Sequence, residues 1–314
     1  MKFKKILLIG IDGPKLDAEY WKRIDILAEK KVSLPKDSSE IIDNLKDTDC
    51  LLVNFGIEVG RHLIDNAPEL KYIGIMATAF GKIDAAYAKD MGITVCNVPG
   101  YSTESVAEFV FAALLEHIRE LERGKRQAKE GNFSEAGFRA MEIKNKTFGI
   151  LGLGRIGTRV AEIAVGFGAD VRYWSRERRR ELEARGIKYE NLDNLISECD
   201  ILSIHLAQTK ETENFLNEEM LRRIKKDSIV INTAPMELID IGALEKRLGR
   251  NDLTFILDHS DEMKQADLEK LSKHKNCMIY PPIACISKEA RAAKQEIFAG
   301  NLENFLNGRK TNCV

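Results

Sequence analysis

A glycine-rich turn in the middle of the chain has the composition of a phosphate-binding site. The segment "GILGLGRIG" places Gly152, Gly154 and Gly157 in a GxGxxG pattern between an apolar strand and the start of a helix. Gly152 allows the tight turn, Gly154 lets the backbone approach a pyrophosphate, and Gly157 permits close packing of helix on strand. The N–H groups and the positive dipole end of the helix then attract the phosphates. A turn without a ligand is the alternative, but the strand–turn–helix context favours a dinucleotide site.

The residues at the end of the next strand discriminate between the two nicotinamide dinucleotides. NAD sites usually carry an acidic residue about 20 positions after the first glycine, where it binds the ribose 2′-hydroxyl. Here Ser175 and Arg176 stand at that position, followed by "ERRR". A hydroxyl and a guanidinium suit a 2′-phosphate, so the sequence favours NADP over NAD. The arginines from 178 to 180 are interpreted as the solvated start of a helix.

A few titratable side chains follow apolar strands, where α/β proteins collect their chemistry. Asp258 and His259 end one such strand, and they are the candidate catalytic pair, although "HSDEMK" also fits a solvated loop. His205 ends another strand, and a structural or cofactor-adjacent role is favoured for it over catalysis.

The apolar strands that position these residues alternate with amphipathic helical patterns. Such continuous apolar runs indicate parallel sheets covered on both faces. One set of four runs covers 4–10, 50–55, 70–77 and 93–98. A second set of six covers 147–154, 170–175, 200–206, 228–234, 253–258 and 277–283. Ten strands are more than a single sheet usually contains, so two α/β domains are expected. The predicted breaks between them lie near "NVPGYSTES" and at Pro281-Pro282.

Composition and charge exclude several classes of protein. Of 314 residues, 44% are hydrophobic and 31% charged, which is typical of a globular chain. The formal net charge of −1 gives no reason to expect nucleic acid or an anionic membrane as a partner. The N-terminal "MKFKKILLIG" fits a first strand better than a signal peptide. The six cysteines are scattered without a CxxC pair, so we expect reduced thiols, a cytoplasmic location and no metal site.

Several segments together resemble the D-isomer-specific 2-hydroxyacid dehydrogenase family over nearly the whole chain. They are "NVPGYSTESVAEF", "KTFGILGLGRIG", "LSIHLAQTKET", "INTAPMELID" and "NLENFLNGRKTNCV", in the family's order and spacing. The resemblance implies two doubly wound parallel-sheet α/β domains, with a Rossmann nucleotide-binding domain (100–284) inserted in a flavodoxin-like substrate domain (1–99 plus 285–314). It also implies a small-molecule substrate in a cleft between the domains and a homodimer formed through the nucleotide domains.

The resemblance also implies which residues hold the cofactor and which perform the chemistry. Besides the three glycines, Ser175 and Arg176, the implied cofactor contacts are Arg155, Ile156, His205, Thr233 and Asp258. Catalysis in the family needs an arginine in "NxxRG" to bind the substrate carboxylate. It also needs a histidine in "PH" to move a proton, and a glutamate in "DVFxxEP" to orient that histidine.

This sequence departs from the family at all three catalytic positions. Matching the motifs places Pro235 at the arginine, Met263 at the glutamate and Pro282 at the histidine. A fourth departure is Ala79, which replaces a loop glycine and is tolerable only where φ is negative. The intact glycine turn beside these losses favours an NADP-dependent oxidoreductase repurposed for a non-standard carbonyl, hydroxy or imine substrate. The alternative is a catalytically silent NAD(P)-binding paralogue, such as a sensor or a partner protein.

Overall fold

The computed structural model describes residues 1–314, apart from the side chain of Glu262. The chain forms two compact units, and the second is inserted in the first. Unit 1 contains Met1–Ser102 and Ser287–Val314, and unit 2 contains Thr103–Ile286. The sequence predicted domain breaks at 99/100 and 284/285. Within the described residues, no helix has both the length and the apolar composition needed to cross a bilayer.

Unit 1 is a five-stranded parallel sheet with helices between its strands. Its strands are β1 (Phe3–Ile9), β2 (Ala28–Leu34), β3 (Cys50–Val53), β4 (Tyr72–Ile75) and β5 (Thr94–Cys96). Its helices, labelled in chain order, are α1 (Ala18–Ile26), α2 (Ile41–Leu45), α3 (Arg61–Asp65), α4 (Ala85–Asp90) and the last helix of the chain, α13 (Lys288–Leu306). The strand order β2-β1-β3-β4-β5 is that of flavodoxin-like folds.

Helix α13 completes the core of unit 1. Its side chains Phe298, Ala299 and Leu302 are fully buried in a cluster with residues of β1, β3 and β4. Ser287 caps the helix, because its side chain accepts a hydrogen bond from the N–H of Ala290 at 2.9 Å. One face of the unit 1 sheet is therefore covered by a helix that lies far from it in sequence.

Unit 2 is a seven-stranded parallel sheet. Its strands are β6 (Thr147–Leu151), β7 (Asp170–Trp174), β8 (Ile187–Tyr189), β9 (Ile201–Ile204), β10 (Ser228–Asn232), β11 (Leu253–Leu257) and β12 (Cys277–Ile279). Its helices are α5 (Thr103–Ile118), α6 (Leu121–Lys129), α7 (Arg155–Gly166), α8 (Arg180–Glu183), α9 (Leu192–Glu198), α10 (Glu218–Arg223), α11 (Ile241–Leu248) and α12 (Gln265–Ser272). The order β12-β11-β10-β9-β6-β7-β8 is that of a Rossmann sheet with one added strand.

The predicted fold class is confirmed, but the predicted strand numbers of four and six are wrong. The two strands that the sequence reading missed, β2 and β8, both lie at a sheet edge. Strand β2 reads "AEKKVSL" and β8 has only three residues, "IKY". An edge strand faces solvent along one side, so it carries charged residues and can be short. A search for continuous apolar runs therefore finds the buried strands and overlooks an edge strand that is charged, as β2 is, or very short, as β8 is.

Candidate functional site

In the sheet of unit 2, β7 and β8 lie on one side of β6, and the strands from β9 onward lie on the other side. The glycine turn follows β6, where the strand order reverses. Gly152 follows β6 with φ +99°, a conformation that side chains rarely adopt. A Cβ atom on Gly152 would lie 2.7 Å from the carbonyl oxygen of His205. A Cβ atom on Gly157 would lie 2.0 Å from the carbonyl oxygen of Gly152. Packing of the turn itself therefore requires both glycines.

Gly154 differs from these two glycines because nothing in the protein occupies the space beside it. A Cβ atom on Gly154 would meet no atom within 4 Å among the described residues. Gly154 is the N-cap of α7 and has extended backbone angles (φ −78°, ψ −162°) that any residue can adopt. The first-turn N–H groups of α7 begin at Arg155 and Ile156. The cradle thus has the open space and the donors that a pyrophosphate needs.

A pocket of about 600 Å³ opens beside this turn, within unit 2. Its walls come from the glycine turn, the end of β7 and the loop after β9. Trp174 and Phe215 form one side, with ring centroids 5.5 Å apart. A pocket that joins a phosphate cradle to an aromatic wall at this point of the sheet is the site expected for the adenosine half of a dinucleotide.

The charged residues of the pocket lie just after β7. The Ser175 hydroxyl donates a hydrogen bond to the carbonyl of Glu177. Arg176 is exposed on the pocket wall and has no ion pair within the described residues. The pKa of Glu211, on the facing loop, is lowered by a hydrogen bond from Thr209 and further by the charge of Arg176.

The arginines that follow are engaged with carboxylates. Arg178 donates to both carboxylate oxygens of Glu183, at 2.6 and 2.7 Å. Arg179 lines the pocket too, but its Nε donates to Glu181 at 2.7 Å. In the described residues, Arg176 is therefore the arginine of this run that reaches the pocket without an ion pair.

His205, at the end of β9, is held within the protein. Its Nε2 lies 2.8 Å from the Ser203 hydroxyl, and its Nδ1 lies 3.5 Å from the Thr233 hydroxyl. Burial lowers the pKa of His205 to about 3. The imidazole is thus neutral near pH 7 and supplies no imidazolium proton.

The turn after β10 carries Pro235 and is braced from below by a buried amide. Asn232 is fully buried, and its side chain donates to the carbonyl of Ala234 at 2.8 Å and accepts from the N–H of Ala234 at 3.2 Å. The Asn232 amide also lies 3.3 Å from the sulfur of Met236. These contacts fix an apolar turn at the carboxyl edge of the sheet, with Pro235 half-buried on it.

Asp258 and His259 connect three loops at the same edge. Asp258 is buried, and its Oδ2 accepts from the N–H of Ala284 at 3.1 Å. His259 is partly exposed, and its Nε2 donates to the carbonyl of Thr233 at 3.2 Å. The same Nε2 lies 3.8 Å from Asp258 Oδ1. The structure thus brings the candidate pair and Thr233 together around the ends of β10 and β11.

The other two family positions are apolar in their surroundings as well as in type. Met263 is half-buried against the apolar cluster of β10 and β11, and Pro282 is half-buried in the segment after β12. Glu262 could replace Met263 only if the loop shifted by one residue, and its side chain lies outside the described residues. In unit 1, Ala79 is not among the described residues with positive φ, which is the condition that its replacement of glycine required.

Comparison with known proteins identifies the family. A family model described as "D-isomer specific 2-hydroxyacid dehydrogenase, NAD binding domain" matches residues 111–284, more than half of the chain. The chain belongs to the D-isomer-specific 2-hydroxyacid dehydrogenase family. The matched segment coincides with the Rossmann sheet of unit 2, so this family member carries a nicotinamide-dinucleotide domain there.

Relatives and solved structures of the family span almost the whole chain. A glyoxylate reductase of Aeropyrum pernix is 33% identical over 302 residues, covering 93% of this chain and 88% of the relative. A hydroxypyruvate reductase of Blautia hydrogenotrophica is 31% identical over 306 residues, covering 94% of each. An acyclic imino acid reductase in complex with NADPH and D-Arg matches with a TM-score of 0.86 and 29% identity, covering 99% of each chain. The Aquifex aeolicus D-lactate dehydrogenase complexed with NAD and lactic acid matches with a TM-score of 0.84 and 28% identity, covering 96% of each. This chain is thus an NAD(P)-dependent oxidoreductase of the D-2-hydroxyacid dehydrogenase type.

Sequence reasoning missed two contributions to the site. Phe215, which packs against Trp174 in the pocket wall, lies in the loop after β9 with no motif around it. The N–H of Ala284, which satisfies Asp258, is a backbone group and leaves no signal in residue types.

Proposed function

We propose that this family member is an NADP-dependent reductase whose substrate is a carbonyl, hydroxy or imine compound outside the small 2-hydroxy acids, with an imine favoured. One observation carries the proposal. Pro235, Met263 and Pro282 stand where the family resemblance places arginine, glutamate and histidine. Among these positions no side chain can clamp a carboxylate or transfer a proton.

The chemistry of the two substrate classes differs in what the protein must supply. The nicotinamide supplies hydride in either case. Reduction of a ketone also needs a group that polarises the oxygen and a proton donor for the alkoxide, which are the tasks of the missing arginine and histidine. A protonated imine already carries both the positive charge and the proton, so hydride addition yields the neutral amine directly. Two prolines at this edge suit such a substrate, because an arginine would repel it.

Asp258 and His259 remain the candidates for orienting and proton-handling roles. Asp258 contributes a buried carboxylate at the same edge as Pro235, and its contact with the N–H of Ala284 holds the segment that carries Pro282. His259 bonds to the carbonyl of Thr233, so it positions the turn after β10. A cationic substrate gains from the carboxylate without any further group.

The preference for NADP rests on the pocket wall after β7. Arg176 is exposed there without an ion pair within the described residues, and its guanidinium can bind a 2′-phosphate bidentately. Glu177 and Glu211 line the same pocket, and their carboxylates repel a phosphate. The preference for NADP therefore depends on the attraction that Arg176 provides. The structural neighbour that binds NADPH, the imino acid reductase, is consistent with this preference.

The test compares keto acids with and without an amine. NADPH oxidation is measured with glyoxylate, hydroxypyruvate and pyruvate, each alone and with excess ammonium at mildly alkaline pH, where imines form. The Gly154→Ala variant, which should bind NADPH more weakly, serves as the control at an NADPH concentration that saturates only the wild type. Turnover that requires ammonium, with an amino acid as product, is expected. Turnover of any of the three acids without ammonium would refute the proposal.

The alternative of a catalytically silent NAD(P)-binding protein is favoured by the same triple loss. Tight NADPH binding without turnover on a broad panel of carbonyl compounds and imines would establish it. We further propose a homodimer, as the family resemblance implied, which light scattering of the purified chain tests directly. The cytoplasmic location expected from the cysteine pattern stays a prediction, and fractionation of the source cells tests it.

A further inference from the structure

Two cysteines in unit 1 contact each other although 217 positions separate them in the sequence. Cys96 is the last residue of β5 and is buried, whereas Cys313 lies in the C-terminal segment and is exposed. Their sulfur atoms are 3.6 Å apart, and both thiols are free. The nucleotide site of unit 2 uses neither residue, so this pair has no part in the proposed function.

The backbone places the two cysteines directly opposite each other. They form an antiparallel bridge, in which the N–H of Asn97 donates to the carbonyl of Asn312 and the N–H of Val314 donates to the carbonyl of Val95, both at 3.0 Å. Because these bonds flank the pair, Cys96 and Cys313 occupy a non-hydrogen-bonded position, where opposite Cα atoms are about 4.5 Å apart and side chains are closest. That separation lies within the range that a disulfide spans, about 4.4–6.8 Å. Rotation about the side-chain bonds therefore suffices to join the sulfur atoms.

The C-terminal segment is held in this register by side chains as well as by the backbone. The side-chain amide of Asn312 donates to the side-chain oxygen Oδ1 of Asn301 at 2.8 Å, and the Thr311 hydroxyl donates to the same oxygen at 3.1 Å. Asn301 is itself buried on α13 and donates to the carbonyl of Asn97 at 2.8 Å. The two strands that carry the cysteines thus bind the same buried amide of Asn301, which keeps Cys313 opposite Cys96.

We propose that Cys96 and Cys313 are a disulfide-forming site that takes small-molecule disulfides as its oxidant. The exposed Cys313 thiolate attacks one sulfur of the oxidant, forming a mixed disulfide and releasing one thiolate. The Cys96 thiolate then attacks Cys313 Sγ and releases the second thiolate. In sum, two protein thiols lose two protons and two electrons, and the small disulfide is reduced to two thiols.

The surroundings assign the order of these steps. Burial raises the pKa of the Cys96 thiol to about 12, although a hydrogen bond from Tyr72 opposes this effect. The buried thiol is thus a slow nucleophile toward free oxidant, and Cys313 reacts first. Once the mixed disulfide forms, contact with Cys96 makes the second attack intramolecular, so closure follows despite the high pKa.

The experiment treats the full reduced chain with oxidised glutathione and maps its peptides without reduction. Trypsin releases residues 90–119 with Cys96 and residues 311–314 with Cys313, so a cross-linked pair of these peptides is expected, reversible by dithiothreitol. Titratable thiols in denaturant should fall from six to four. Cys313→Ser should abolish the cross-link, whereas Cys285→Ser, which removes another partly buried thiol, should not change it.

The melting temperature provides a second readout. In the wild type, oxidation should raise the unfolding temperature of unit 1 by roughly 5 °C, since the bond closes a long loop. Cys313→Ser should melt identically in oxidant and reductant. A mixed disulfide with glutathione that persists on Cys313 would overturn the proposal. So would a cross-link that lowers the unfolding temperature or leaves it unchanged, because the native geometry would then not accommodate the bond.

Discussion

Alanine at Gly154 and at Gly157 should separate the binding role of the glycine turn from its packing role. A Cβ on Gly157 would lie 2.0 Å from the Gly152 oxygen, and real Cβ contacts stay above 3.0 Å, so backbone atoms must move by about 1 Å. Overpacking costs about 1–3 kcal/mol, and the upper end applies because a backbone carbonyl cannot rotate away as a side chain can. For a unit of this size, such a loss lowers the melting temperature by roughly 6–12 °C. Gly157→Ala should therefore destabilise unit 2.

Gly154→Ala should have the opposite profile. The new methyl group meets nothing in the protein, so the melting temperature should fall by no more than roughly 2 °C. The methyl group does fill the space in which a phosphate approaches the α7 N–H groups, and each charge-assisted bond lost costs about 1.5–3 kcal/mol. NADPH should therefore bind about 10- to 100-fold more weakly.

Differential scanning fluorimetry and titration of NADPH against the fluorescence of Trp174 measure the two effects on the same samples. Wild-type NADPH affinity in Gly154→Ala would refute the assignment of the open space to the cofactor. A Gly157→Ala variant with an unchanged melting temperature would refute the packing argument.

Three further predictions concern the charged and titratable residues. Arg176→Ala should weaken NADPH binding about 10- to 100-fold and leave NADH nearly unchanged, whereas Arg179→Ala, which removes an arginine paired with Glu181, should change both little. Equal effects of Arg176→Ala on both dinucleotides, measured by calorimetry, would contradict the NADP assignment. Burial lowers the pKa of His205 from 6.5 to about 3, so between these values the unfolded chain binds a proton that the folded chain does not. The free energy of unfolding should therefore fall by about 2 kcal/mol between about pH 7 and about pH 5. In urea unfolding, the fall for His205→Gln between the same pH values should be smaller by that amount. The same loss in both proteins would argue against this site as the source. Asp258→Ala leaves the N–H of Ala284 without its acceptor, so it should lower the free energy of unfolding by about 1–3 kcal/mol. Asp258→Asn keeps an oxygen at this position and should lower it by less. Equal losses for the two variants in urea unfolding would contradict the role of that bond.

The fold could be predicted as far as its elements are buried. Central strands such as β10, with every residue buried, have no polar side to hide and read as continuous apolar runs. The edge strands β2 and β8 escaped because their hydrogen bonds on one side face solvent and their residues include lysines. Their existence follows from pairing with β1 and β7, which is a property of the assembled sheet.

In the candidate site, the sequence predicts residues that belong to a local motif, but not contacts between distant loops. Gly152 and Gly157 are dictated by close backbone approach, so a motif records them. The bond from the Ala284 N–H to Asp258 and the placement of Phe215 depend on how distant loops meet, which residue types do not encode. The cysteine pair is a similar case, because the two residues become neighbours only when the C-terminal segment pairs with β5.

The insertion of one unit within the other has a consequence for biosynthesis. During translation, β1 to β5 leave the ribosome first, but the sheet they form lacks the apolar cover that α13 provides until unit 2 has been made. Unit 2 is continuous in the chain and can complete its own core before that helix emerges. The order in which the two units mature should thus be the reverse of the order in which they begin, and the nascent first sheet is the part that most needs a chaperone.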